Sequence, residues 1–168
     1  MGMARSQGDV VITLPVLDRL IDLEPKNSLE VPLSRVQSAR VLKNALRRDL
    51  EWLLNTRRIP EVPDESLKEL HSSLYLYGLP DFSTHTLAST ADQAKLLRQI
   101  TATIKLFEPR LANVRVIPLP TEETGLKDLK VRIEGMLLMD PAPEPVSFDT
   151  VIETKSGNCR LTGAKDAG

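Results

Sequence analysis

The spacing of apolar residues changes at Pro109, and that change restricts the chain to folds in which helices come first and strands follow. Upstream of it, Ala39, Leu42, Leu46, Leu50 and Leu53 recur at intervals of three and four. Ala94, Leu97, Ile100, Ile104 and Phe107 repeat the pattern. That period puts each set on one face of a helix. Downstream the period falls to two. Val131, Ile133, Leu137 and Met139 alternate with residues such as Arg132 and Glu134, and Val146, Phe148 and Ile152 alternate with Ser147 and Asp149. These are half-buried strands. Pro109 supplies the boundary, because proline disfavours helical geometry in the residue before it. The order predicts an α+β domain, with N-terminal helices packed on one face of a small, mainly antiparallel C-terminal sheet.

Capping and turn residues place the elements more closely. Pro15 suits the first position of a short helix over 15–21, whose apolar residues are Val16, Leu17, Leu20 and Ile21. Ser34 and Gln37 form a capping box ahead of a long helix over 35–54, with Asn55 as a cap and Arg57 and Arg58 at its negative end. Ser66 with Glu69, and Thr90 with Gln93, have the same spacing and predict two further helix starts. Gly78, Pro80 and Asp81 mark a turn over 77–81. Residues 113–120 form a short strand that Pro118 and Pro120 end. "DPAPEP" reads as a stiff loop, and "KSGN" as a turn folding "CRL" back as a stub. The domain expected from these signals spans 13–161, with flexible segments at 1–12 and 162–168.

Composition narrows the function. Aromatic residues are 4% of the chain against 41% apolar, so the core is aliphatic. The net charge is −1, which offers no global attraction for nucleic acid or a membrane surface. The basic side of helix 35–54, with Arg57 and Arg58, is interrupted by Asp49 and Glu51, and aromatic partners for base stacking are scarce. Cys159 is the single cysteine, so no internal disulfide forms, which fits a reducing compartment. No apolar run reaches the ~20 residues of a spanning helix. "MGMARSQGDV" has no signal-peptide form.

Catalytic and metal constellations are sparse. His71 and His85 are the only histidines and have no ligand spacing to each other or to Cys159. No nucleophile elbow and no phosphate-cradling loop is present, and no cofactor is expected. The enzyme reading that needs least is glycoside hydrolysis by two carboxyls. Glu108 with Asp81, or Glu134 with Asp149, are the available pairs. Arg110 is a poor neighbour for a general acid that must hold its proton.

Three segments occur in order: "RRDLEWLLNTRR", "SSLYLYGLPD" and "FEPRLANVRV". Together they resemble the TssE family of type VI secretion baseplates and the lysozyme-like baseplate wedge proteins of contractile phage tails. "VLDRL" fits that family's opening helix, and the resemblance spans roughly residues 15–155. It implies a cytoplasmic, structural, non-catalytic baseplate subunit. Such a subunit joins the TssF–TssG wedge, and through it TssK, to a sheath of TssB and TssC whose assembly it templates. The family's Glu-Pro-Arg motif falls on Glu108, Pro109 and Arg110, which the resemblance assigns to wedge docking. The residues alone allow either that role, with both charges held outward, or an internal cap. The sheath role needs an open sheet edge for β-augmentation. Strands 131–139 and 146–154 are the expected edges, with Val151 and Glu153 as contact residues and Lys130 and Lys155 as possible edge protectors.

Overall fold

The computed structural model describes residues 14–21, 34–81, 89–120, 128–153 and 158–165. Its elements are α1 (Val16–Leu20), α2 (Arg35–Asn55), α3 (Lys68–His71), a 3-10 turn (Leu74–Leu76), α4 (Thr90–Phe107), β1 (Leu111–Pro118), β2 (Asp128–Leu137), β3 (Glu144–Glu153) and β4 (Cys159–Lys165). The strands form one antiparallel meander in the order β1-β2-β3-β4. The α+β expectation holds.

The two expected long helices pack where their stripes direct them. Leu42, Leu46, Leu50, Leu53 and Leu54 of α2 join Leu96, Ile100 and Ile104 of α4 in one cluster with Val131, Ile133, Phe148 and Ile152 of the sheet. Leu46, Leu50, Ile100 and Phe148 have no exposed surface. Each fully buried apolar side chain of this kind contributes roughly 1.5–3 kcal/mol. On the other side of the sheet, Arg132 donates to both oxygens of Asp149 at 2.6 and 3.0 Å across the β2–β3 pair.

Caps agree with the sequence at one helix and differ at others. The Ser34–Gln37 box closes reciprocally, at 3.4 and 2.9 Å. α4 starts one residue earlier than expected, with Ser89 rather than Thr90 accepting from the Ala91 N–H. The Ser66–Glu69 box does not form. Asp64 takes the Ser66 N–H instead, an Asx-type turn, and α3 begins at Lys68 without a side-chain cap. Gly78 has φ +102, and a Cβ there would lie 2.4 Å from the Thr56 carbonyl oxygen. This close approach lets Leu79 exchange backbone bonds with Thr56 and Arg58 at 2.9 and 3.0 Å.

The sheet margins differ from expectation. β4 is a seven-residue strand rather than a stub, and it continues into the segment expected to trail from 162. β3 is therefore paired on both sides. Val151 lies opposite Lys130 on β2 and Arg160 on β4, and Glu153 lies opposite Asp128. Neither Val151 nor Glu153 is on an edge. β2 is likewise central, so the margins are β1 and β4. Lys155, His85 and the 1–12 arm lie outside the described residues.

Asn55 gives β4 its place against α2. Its side-chain amide donates to the Cys159 carbonyl at 2.7 Å, and its side-chain oxygen accepts from the Cys159 N–H at 2.8 Å. One carboxamide thus satisfies both main-chain groups of Cys159, as a neighbouring strand would. Asn55→Ala strands those two groups and is expected to cost about 1–3 kcal/mol in a urea melt. An unchanged unfolding midpoint would show that the tether is dispensable. Burial pushes the Cys159 thiol up to about 11. Native protein should therefore stay unreactive toward a thiol reagent at about pH 8 and react only on unfolding.

A charged corner between α4 and β1

α4 ends where Pro109 requires. Glu108 is its C-terminal cap residue, with φ −122 and ψ 78, and its N–H still donates to the Ile104 carbonyl at 2.8 Å. Arg110 then leads into β1, and its carbonyl accepts from the Leu138 N–H at 2.8 Å. The corner is pinned on both sides by main-chain bonds.

The two charges do not both point outward. Glu108 is 5% exposed. Its Oε1 accepts from the Arg110 N–H at 3.2 Å and from Arg110 Nε at 2.6 Å, while its Oε2 accepts from Nη2. Arg110 Nη2 also donates to Asp49 Oδ2 of α2 at 2.7 Å. Of the two roles the residues allow, the internal pair is present. Pro109, between them, is exposed. The bonds of Arg110 use N, Nε and Nη2, and Nη1 takes no part in them.

Asp49 carries the network further. Its Oδ1 accepts from Arg48 Nε and Nη2 at 3.0 and 2.8 Å. Arg48 in turn donates to both oxygens of Asp18 on α1, at 2.6 and 3.3 Å. The chain Glu108–Arg110–Asp49–Arg48–Asp18 therefore links the corner, α2 and α1. The Glu108 hydrogen bond is the largest cause holding the Arg110 guanidinium more firmly protonated than usual, ahead of Asp49. For Arg48 the corresponding cause is Asp18. Tyr77 lies edge-on to Phe107, with ring centroids 5.3 Å apart. Its phenol is raised by burial first, then by the charges of Asp49 and Glu108.

The other candidates are dispersed. Asp81 is exposed on its loop. Asp149 is held by Arg132 on the sheet face away from the helices. His71 approaches the Asp64 carbonyl at 3.3 Å. Among the described residues no cluster of His, Cys, Asp and Glu could hold a metal ion, and no helix is long and apolar enough to cross a membrane. An open groove of about 1000 Å³ lies along β1–β3 beside Lys105, Arg115, Arg132 and Glu134. Glu108 and Asp81 do not line it. Asp49 and Asp18 were not singled out from the sequence. Asp49 was legible there only as an interruption of a basic run, because its partner lies 61 positions away.

Removing the guanidinium strands a buried carboxylate. Arg110→Met is expected to destabilise the fold by about 3 kcal/mol, the lower end for a broken buried pair, since a quarter of the Arg110 side chain meets solvent. Glu108→Gln in the same chain should recover part of the loss. Equal melting temperatures for wild type and Arg110→Met would contradict the clamp.

Residues 40–142 match the family model described as baseplate wedge protein gp25. A solved chain from "The baseplate complex from the type VI secretion system" is 20% identical over 68% of this chain and 96% of that one, with a TM-score of 0.46. No curated protein matches.

Proposed function

This chain belongs to the baseplate wedge protein gp25 family, and on that footing we propose that it is a non-catalytic subunit of a type VI secretion baseplate in the bacterial cytoplasm, near the inner membrane. It joins the TssF–TssG wedge, with TssK reached through that complex, to the TssB–TssC sheath. The observation that carries the reading is the family match itself. Its span runs from α2 through β2 and includes the Glu108-Pro109-Arg110 corner.

The geometry changes how such a corner would dock. Arg110 cannot be spent wholly on a partner, because Nε and Nη2 already clamp Glu108 and Asp49. The exposed Pro109 ring and the Arg110 Nη1 group form the contact. A guanidinium immobilised on one side loses little freedom when a partner carbonyl or carboxylate takes the other. Glu108 then acts as the brace of Arg110. This also weighs against the hydrolase alternative, since both Glu108 oxygens are occupied by Arg110 donors.

The sheath contact moves from β3 to β4. A partner strand needs main-chain groups without a neighbour, and β3 has neighbours on both sides. On β1, Pro118 offers no N–H to an added strand. β4 remains, partly covered at Cys159 by Asn55.

Charge reversal at Arg110 would unfold the clamp, so a cleaner probe is Pro109→Glu, which sets a second carboxylate beside Nη1. The expected result is loss of TssF–TssG co-purification by a chain that remains folded, with the Arg110–Glu108 bonds kept. Undiminished capture would remove the docking reading. For the sheath, a photo-crosslinker at exposed Arg160 of β4 should capture TssB or TssC, while one at exposed Lys130 of β2 should not. Capture from Lys130 alone would reject β4 as the augmented edge.

A further inference from the structure

α1 stays on the body by unusual means. It is five residues long and buries none of them. Val16, Leu17, Leu20 and Ile21 are 63, 47, 75 and 45% exposed, so its apolar residues do not form the core contact their spacing suggests. Isolated helices this short do not persist in water, where about 12–15 residues are marginal. α1 therefore owes its form to its anchors. Two are visible, four residues apart: Leu14, which packs against the core cluster, and Asp18, whose side chain is 10% exposed against Arg48. Asp18 grips Arg48 with both oxygens.

Arg48 has a second neighbour on its own helix. Its guanidinium lies over the Trp52 ring, 5.0 Å from the centroid, and Trp52 is half exposed. Arg48 is thus held between a carboxylate from α1, a carboxylate from α2 and an aromatic face.

We propose that α1 is an electrostatic strap, a helix that forms only while Asp18 holds Arg48 and that unwinds when the ion pair is broken, releasing Arg48 beside the half-exposed Trp52. The proposal does not depend on the baseplate reading. Attachment by charge differs from attachment by apolar burial in one decisive respect. Salt weakens the first, though less for a contact pair as enclosed as Asp18–Arg48 than for an exposed one, and leaves the second intact or strengthens it.

The chain carries its own reporter, since Trp52 is its single tryptophan. The amides of Arg19 and Ile21, which donate to Pro15 and Leu17 at 3.1 Å, report on α1 directly. In the full-length protein, raising NaCl from about 0.01 M to about 1 M should speed hydrogen exchange at both amides severalfold and shift Trp52 emission. Asp18→Asn at low salt should already show the high-salt behaviour, with amides of α2 still protected. Arg19→Gln, an exposed neighbour outside the ion pair, should behave as wild type. The strap is excluded if Asp18→Asn keeps wild-type protection at Arg19 and Ile21 and wild-type emission. Should that variant fail to fold, the wild-type salt series decides alone, and salt-independent exchange at those amides overturns the proposal.

Discussion

One guanidinium sets the geometry of the corner on which the functional reading depends. Arg110 is where α4, β1 and α2 meet. Its backbone belongs to the turn, its Nε and Nη2 neutralise the buried Glu108 carboxylate, and Nη2 reaches Asp49 across 61 positions of sequence. A buried carboxylate without such a partner costs several kcal/mol. The pair adds little net stability over an apolar substitute, but it ties the corner that Pro109 opens to α2 through Asp49. The apolar core around Leu46, Ile100 and Phe148 holds the layers together, and the Arg110–Asp49 pair adds a charged tie between the corner and α2.

That distinction suits the domain to the adaptor role proposed for it. Docking surfaces gain from groups immobilised before the partner arrives. Here the immobilising bonds are internal, and the corner they hold leaves the Pro109 ring exposed, with β4 at the margin of the sheet. The same economy appears at β4, where Asn55 covers Cys159 on the helix side.

Much of this was legible in the sequence. The leucine stripe of α2, the Ser34–Gln37 box, the stop at Pro109 and the alternation in β2 and β3 are local signals, and each appears within a residue or a few of its expected place. What was not legible depends on distant partners. Charge type at Glu108 and Arg110 says nothing of direction, because the inward pull comes partly from Asp49. Val151 and Glu153 looked like edge residues because "CRL" was too short to announce a seven-residue strand, and strand order is a property of the whole sheet. Asn55 read as a helix cap, and its amide does bond the Glu51 carbonyl. Its larger task, holding Cys159 at a separation of 104 positions, left no local trace. The apolar residues of α1 make one face in the sequence, yet they remain exposed while Asp18 is turned to Arg48 on the body.

The central claim is that Arg110 faces inward and outward at once, and a structure of the chain bound to TssF and TssG, at a resolution that shows side chains, tests it most directly. The claim requires Nε and Nη2 to remain on Glu108 and Asp49 while Nη1 and the Pro109 ring meet the wedge. An Arg110 swung away from Glu108 in the complex, or a wedge seated elsewhere on the domain, would contradict it.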